Sequence, residues 1–423
     1  MLAILLLLGL AALFITSTGL VSTRDDSLLV AGPMIQSQTS DGFTIAWRQV
    51  SASPAIGVSY RQGDGPVTAA PIECGALNRC RALLAGLSSD ESCQYQVVER
   101  SDEESRVLAS GTVEMPPGRN EPFRFIAFGD SGSDDAGQWA VAEKIEAAGP
   151  DLLIHTGDVV YPRGHYSDYP AKFYRPYGNI IRNVPIFPTI GNHDYYYDHG
   201  ESYLGEFSLP ENGPPGTIPE RHYYFDYGDV RFVCIDSNET FGALRDFVVP
   251  WMRERLADAG DRWTVVYFHH ATFTHGKNTP LGSIRSLVVP VIDETAVDLV
   301  LTGHNHMYER SLPIRDGNAV QDGKGTVYIT TGAGGAELQP YSGPKPDYLV
   351  KDDNTVFSFT IIDVTPAALN IQQVTSSGEK IDEFEISRVP DSQVSPTHGD
   401  AMQAPTPASP SGSTPETIQA GHD

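Results

Sequence analysis

Basic side chains are scarce in this sequence: 29 Lys and Arg stand against 54 Asp and Glu in 423 residues, a formal net charge of −25. A field of that sign repels polyanions at long range, so an extended nucleic-acid partner is not expected. A phosphate-bearing ligand would have to be small and be drawn in by local positive charge, which a metal site could supply. Cysteine is scarce as well. The chain has four and no Cys-x-x-Cys spacing, so a thiolate metal site is disfavoured. Cys74 and Cys80, separated by GALNR in a loop-like stretch, are the pair expected to be bridged, while Cys93 and Cys234 lie in apolar strand patterns and are expected as buried thiols.

Charge is missing altogether from the first 21 residues, MLAILLLLGLAALFITSTGLV. There is no basic region beyond the amino terminus and no Ala-x-Ala cleavage site, so residues 1–23 read either as a signal peptide or as an uncleaved membrane anchor, and both export the rest. Arg24 is followed at once by Asp25 and Asp26, an acidic flank that favours the body of the protein lying outside. At the other end, residues 389–423 hold six prolines, no aromatic residue and no Lys or Arg. Such a stretch cannot bury enough apolar area to offset its ordering entropy and is expected to be disordered. No repeat of fixed period is present.

Between these ends the texture changes once. Residues 28–116 read as short alternating strands (FTIAWRQV, AIGVSYRQ, RCRALLAGL, SCQYQVVER, LASGTVEM) parted by Gly, Ser, Asp and Pro clusters, as in a small β-sandwich. Trp47 on an early strand and Tyr95 after a polar corner are its expected core aromatics, with Tyr95 a candidate tyrosine corner. After the linker MPPGRNEP, residues 121–388 alternate between strand and helix: FRFIAFGD, helical AGQWAVAEKIEAAG, PDLLIHTGD, VPIFPTIGNHD, helical PWMRERLADAG, WTVVYFHH, helical SIRSLVVPVIDETA and VDLVLTGHNH. The strand-rich remainder, GTVYITTGAGG, TVFSFTIIDV, ALNIQQV and KIDEFEIS, could complete a second sheet.

The chemistry sits at the ends of these strands. Asp130 in FGDSG, Asp158 and Tyr161 in GDVVY, Asn192 and His193 in GNHD, His269 and His270 in YFHH, and His304 and His306 in GHNH are all metal-ligand types. In an α/β sheet the loops at the carboxyl ends of strands converge on one edge, so residues far apart in sequence can share a site. A pair of cations needs a bridging carboxylate, oxygen donors for a hard ion and neutral imidazoles for a borderline one, and this set supplies them all. Singly each motif is weak; together and in order they are not. The glycines before the donors, Gly129, Gly157, Gly191 and Gly303, would allow the sharp turn that exposes each one. His304 and His306 stand at i and i+2, which in an extended chain lie on the same side and could touch two adjacent ions. His155, inside LLIHTGD, reads as a packed residue. His270 could orient His269, reach a substrate or merely occupy the next position.

The ordered blocks GDSG, GDVVY, GNHD, VYFH and GHNH resemble the five signatures of the calcineurin-like metallophosphoesterases, and among them the purple acid phosphatases, over about residues 121–385. The tyrosine of GDVVY and the continuation MYERSLPI with GTVYITTGAGG are similar to the latter, and the preceding β-domain resembles a fibronectin type III module. The resemblance implies an α/β/β/α sandwich behind a small all-β domain. It also implies a dinuclear centre in which Asp130, Tyr161 and His306 hold Fe(III), Asn192, His269 and His304 hold a divalent ion (Zn, Mn or Fe), and Asp158 bridges. His193 matches the family's substrate-contacting histidine, and His275 in FTHG is the best match for a further one. Larger members carry Glu after GNH, whereas Asp194 stands here as in smaller ones, so the subfamily stays open. The implied activity is hydrolysis of phosphate monoesters by metal-activated hydroxide, with His193 or His275 donating to the leaving alcohol and an acid optimum. On that reading the ions bring five positive charges and Asp130, Asp158 and ionised Tyr161 return three, so the local sign opposes the global one. A phosphodiesterase or nucleotide-processing enzyme on the same metals, and an inert binding protein, are the alternatives.

Overall fold

The alternating N-terminal segments build two small antiparallel sheets. Their strands are β1 (Leu29–Thr39), β2 (Gly42–Gln49), β3 (Ile56–Gln62), β4 (Thr68–Ala70), β5 (Glu73–Cys74), β6 (Arg79–Ala85), β7 (Cys93–Arg100) and β8 (Ser105–Val113), ordered β1-β2-β6-β5 and β4-β3-β7-β8. This computed structural model describes residues 28–51, 56–100, 105–321 and 324–388; the leader expected at 1–23 and the tail expected at 389–423 lie outside the described residues. Among the described residues no helix is long and apolar enough to cross a membrane. Phe43, Ile45 and Trp47 from one sheet and Val58, Tyr95 and Val97 from the other fill the space between them. Cys74 and Cys80 are bridged, and Cys93 and Cys234 are buried free thiols, as their contexts suggested. β1 was not among the strands expected, because Gly32 and Pro33 interrupt its apolar pattern. Proline is tolerated there since β1 is an edge strand, and its register with β2 shifts around that point.

β2 is buried along its whole length, although alternation predicts only every second residue inside. Its other face, with Ala46, joins Ala31 and Met34 in the core of the following α/β part. The sandwich is therefore docked through a sheet face, not tethered. Polar contacts fix the docking: Ser37 Oγ donates to Ser208 O (2.7 Å), Asn183 Oδ1 accepts from Thr112 N (2.9 Å), and Arg48 Nη1 donates to Tyr166 O (3.0 Å). Tyr95 belongs to this set. Its hydroxyl donates to Arg182 O at 2.7 Å, 87 residues downstream, so it closes the domain boundary instead of the tyrosine corner expected of it, where the partner lies a few residues upstream.

The second part runs β9 (Phe123–Phe128), α1 (Ala136–Ala148), β10 (Leu152–His155), α2 (Arg175–Ile181), β11 (Ile186–Pro188), α3 (Asn192–Tyr195) and α4 (Glu201–Glu206). It continues through β12 (Tyr223–Tyr227), β13 (Val230–Cys234), α5 (Phe241–Ala243), α6 (Val249–Ala257), β14 (Trp263–His270), α7 (Val289–Glu294), β15 (Leu299–Gly303) and β16 (Tyr308–Ser311), then the small hairpin β17 (Ile314–Arg315) and β18 (Asn318–Ala319). The last strands are β19 (Val327–Thr331), β20 (Leu349–Asp353), β21 (Ser358–Val364), β22 (Ala368–Thr375) and β23 (Lys380–Ser387). The sheets are ordered β11-β10-β9-β21-β22-β23 and β12-β13-β14-β15-β19-β16-β20. Segments such as LLIH and VVYF are buried on both faces, as continuous apolar runs in parallel strands require.

The two sheets pack face to face, with Phe125 of β9 edge-on to Phe232 of β13 at 5.1 Å between ring centroids. Outside them, Phe128 meets Tyr177 of α2 (5.1 Å), and Val266 and Val300 pack with Met252 of α6 and Ile292 of α7. This is the expected α/β/β/α sandwich behind an all-β domain. The C-terminal strands do not form one sheet of their own: β19 and β20 join the second sheet, whereas β21 returns to pair antiparallel with β9 in the first. That closure places the loop after β19 beside the loop after β9.

Candidate metal centre

The parallel strands β9, β10, β11, β14 and β15 all deliver a donor at or just beyond their carboxyl ends, and the donors meet. Tyr161 Oη lies 3.1 Å from Asp130 Oδ1, 3.0 Å from Asp158 Oδ2 and 3.0 Å from His306 Nε2. On the other side, His269 Nε2 lies 3.0 Å from Asn192 Oδ1, 3.2 Å from His304 Nδ1 and 3.4 Å from Asp158 Oδ2. One carboxylate oxygen of Asp158 thus faces both groups. Donor atoms of Asp130, Asp158 and His269 all lie within 4.8 Å of one another, and all three residues are buried.

Two of the imidazoles are oriented by backbone carbonyls. His269 Nδ1–H donates to Thr156 O (2.9 Å) and His306 Nδ1–H to Glu337 O (2.7 Å), so each presents Nε2 to the cluster. A ring held through one nitrogen is fixed in tautomer and direction for ligation through the other.

The backbone reaches this geometry differently from the sequence expectation. Asp130 (φ 55°), Asp158 (φ 54°) and His304 (φ 71°) themselves occupy the left-handed region, at a cost of about 1–3 kcal/mol each. The carboxylates hold the strain in place: Asp130 accepts the His304 N–H (2.9 Å to Oδ2) and Asp158 Oδ1 accepts the His193 N–H (2.8 Å). His304 and His306 are therefore separated by a bend after β15, not by strand alternation. Gly129, Gly191 and Gly303 have no positive φ. They are required by close approach, because a Cβ would run into Thr156 from Gly129, Asp158 from Gly191 and Asp130 from Gly303. Of the four glycines only Gly157 (φ 95°) makes the turn foreseen for all of them.

Burial makes this collection of groups costly by itself. It drives the Asp130 carboxyl well above the usual carboxylate range, with His269 opposing the rise and Asp158 adding to it, and the Tyr161 phenol well above its own. Burial also opposes charge on His269, but Asp158 and Asp130 outweigh it and push the imidazole up to about 9; its charge in turn holds Asp158 below the carboxylate range. The phenol has one proton, yet two carboxylate oxygens and an imidazole nitrogen crowd it within 3.1 Å. Oxygen and nitrogen lone pairs converging in a buried pocket fit cations, and a pair of them fits a shared Asp158 oxygen.

His193 lies beside this centre. Its Nδ1–H donates to Pro162 O (2.7 Å), its Nε2 lies 4.0 Å from Asp158 Oδ2, and its side chain is 29% exposed. His275 is not brought to the cluster. Its ring stacks on Tyr341 (4.3 Å), and its Nε2 faces Asp352 (3.4 Å) and Glu309 (3.7 Å). His270 contributes no nitrogen to the donor cluster: it bonds Ser237 Oγ through Nδ1 (2.7 Å), its ring packs against those of His304 (4.4 Å between centroids) and His269 (5.2 Å), and burial holds its imidazole well below its ordinary range. His155 is the packed residue expected, bonded to Ser131 Oγ at 2.9 Å.

Three contributors escaped the sequence reading. Asp194 accepts the N–H groups of Gly191 (2.9 Å) and Val159 (3.1 Å) and so ties the GNHD loop to the GDVVY loop. The GAGG stretch after β19 grips the Asp130 loop, with Gly334 N donating to Gly129 O (3.1 Å) and Ala336 N to Asp130 O (2.8 Å). A Cβ at Gly334 would collide with Gly129 O, and this run of small residues was the available signal. Tyr196 is the third, taken up below.

Residues 123–308 match the calcineurin-like phosphoesterase family model. This segment of the chain is a calcineurin-like phosphoesterase domain. Residues 325–383 of this calcineurin-like phosphoesterase match the model of the iron/zinc purple acid phosphatase-like protein C, so its carboxyl-terminal part is of the purple acid phosphatase type. It is 26% identical over 318 residues to probable inactive purple acid phosphatase 24 of Arabidopsis thaliana, a match covering 64% of this chain and 51% of that one. It is 23% identical over 317 residues to a nucleotide pyrophosphatase/phosphodiesterase of Hordeum vulgare (64% and 85%). In fold it is similar to a purple acid phosphatase from yellow lupin (Lupinus luteus) seeds, with a TM-score of 0.74, 19% identity, and coverage of 84% of this chain and 74% of the other. The phosphoesterase spans about half the length of the Arabidopsis relative.

Proposed function

We propose that this calcineurin-like phosphoesterase is an exported phosphatase that hydrolyses small phosphate monoesters at a dinuclear centre of Fe(III) and a divalent ion. The observation that carries the reading is the position of Asp158 Oδ2, 3.0 Å from Tyr161 Oη and 3.4 Å from His269 Nε2. Asp130, Tyr161 and His306 would hold the ferric ion, Asn192, His269 and His304 the divalent one, and Asp158 both. When bound, the ions supply Lewis acidity toward the phosphoryl oxygens and lower the pKa of water. The chain's own residues do the rest. Thr156 O and Glu337 O keep His269 and His306 aimed inward. His193, anchored on Pro162 O through Nδ1, offers Nε2 as the atom from which a proton passes to the leaving oxygen. Its partial exposure suits contact with substrate, whereas His275 is committed to Glu309 and Asp352.

The test is elemental analysis with an absorption spectrum, before and after Tyr161→Phe. A visible phenolate-to-iron band is expected in the native protein and lost in the variant; iron without such a band would move the assignment to a non-purple phosphoesterase. An acid-side optimum belongs to the same reading, and a kcat/KM profile peaking at alkaline pH in a metal-replete sample would count against the ferric ion. The barley relative's name keeps a phosphodiesterase reading open, and relative turnover of monoester and diester chromogenic substrates separates the two. Export rests on the uncharged leader, cleaved or retained as an anchor.

A further inference from the structure

The second donor group includes an amide, and an amide has two ends of nearly the same shape. Only the oxygen of Asn192 has a lone pair to offer a cation; the nitrogen has two protons. Four residues along, at the end of α3, Tyr196 places its hydroxyl 2.9 Å from Asn192 Nδ2. Asn192 Oδ1 then points inward, 3.0 Å from His269 Nε2, and both ends of the amide are engaged. The tyrosine is itself held. Its ring lies 4.8 Å from that of His193, and its carbonyl accepts from Arg163 Nη2 at 2.9 Å.

Building on the metal-centre reading, we infer that Tyr196 is a positioning residue: its hydroxyl keeps the Asn192 amide oxygen-inward and so sets the affinity of the cation position formed by Asn192, His269 and His304. A cation there fixes the oxygen inward and leaves the N–H groups needing an acceptor, which the phenol oxygen supplies. The other position, formed by Asp130, Tyr161 and His306, shares no atom with this pair and is unaffected. Partners that orient a ligand typically contribute about 10- to 100-fold in metal affinity, and a hydrogen bond to a half-exposed tyrosine, where water can substitute, belongs at the lower end.

The full chain loaded with Zn²⁺ and titrated with a competing chelator tests this, with Tyr196→Phe and Tyr196→Leu beside the wild type. One of two bound zinc ions is expected to weaken about tenfold in both variants, the other to keep its affinity, and the metal-free melting temperature to stay unchanged for Tyr196→Phe. Two ions of wild-type affinity in Tyr196→Phe would overturn the role, as would a loss confined to Tyr196→Leu, which would assign the effect to ring packing on His193. A wild-type chain that holds fewer than two zinc ions would instead overturn the dinuclear reading itself.

Discussion

Asp158→Asn is expected to empty both cation positions at once and to lower kcat/KM toward a chromogenic phosphate monoester on the order of a thousandfold, equivalent to about 4 kcal/mol of transition-state stabilisation. The two oxygens of this carboxylate have separate duties. Oδ1 accepts the His193 N–H at 2.8 Å, and Oδ2 faces Tyr161 and His269 together. An asparagine has one oxygen for the two tasks. If the amide oxygen serves His193 N–H, an NH₂ group is turned on the cations; if it serves the cations, two N–H groups oppose each other across the GNHD loop. The wall offers no escape, since Gly191 packs so closely on Asp158 that a Cβ there would collide with it. Metal content per chain and turnover, measured on the same preparation, check the expectation. A variant that keeps two ions and wild-type turnover would remove Asp158 from its bridging place, whereas loss of one ion alone would make it a terminal ligand.

Glu206→Ala is expected to destabilise the chain by about 3–5 kcal/mol, the usual cost of leaving buried charges without their partner. Glu206 Oε1 stands 3.3 Å from Arg48 Nη1 and 3.2 Å from Arg79 Nη2, with side-chain exposures of 1%, 7% and 16% for the three residues. The arginines come from β2 and β6 of the sandwich and the glutamate from α4 of the phosphoesterase part, so the triad crosses the junction. Burial raises the Glu206 carboxyl from its ordinary range while Arg48 and Arg79 pull it down. Without the glutamate, two cations are left facing each other in a largely buried site. Arg48 also donates to Tyr166 O, on the connection that follows β10. A fall in the urea midpoint with zinc content retained is the expected result. An unchanged midpoint would show that the apolar contacts of Ala31, Met34 and Ala46 hold the junction without the triad.

Much of the centre was legible because its chemistry restricts residue type. Few side chains can serve as a bridging carboxylate, a phenolate or a neutral imidazole, and each stood at the end of an apolar strand. The C-terminal strands, Tyr95 and His275 were read less well for one shared reason. The strands and Tyr95 were assigned partners by local pattern and His275 a place by family resemblance, whereas the contacts observed are set by distant packing: β21 returns to β9, Tyr95 reaches Arg182, and His275 turns to Glu309 and Asp352. Helices were weaker signals where proline punctuates them. The helical stretch ending in α2 opens with Pro170 at a first-turn position, where the missing N–H costs nothing, and carries Pro176 where its wider first segment passes into α2; it went unread.

The sequence by itself determined the layers, the bridged cysteine pair and the polar side chains that gather beyond the strand ends, because apolar periodicity and residue chemistry are properties of residues and their spacing. Tertiary structure alone decided which backbone positions carry the strain, which glycines are needed for closeness instead of turning, and which surface the sandwich covers. Those follow from how near two segments come when their cores are buried, and separation along the chain has no bearing on that distance. The left-handed turns at Asp130, Asp158 and His304 persist because the donors they aim at one another are also the groups that hydrogen-bond the turns in place.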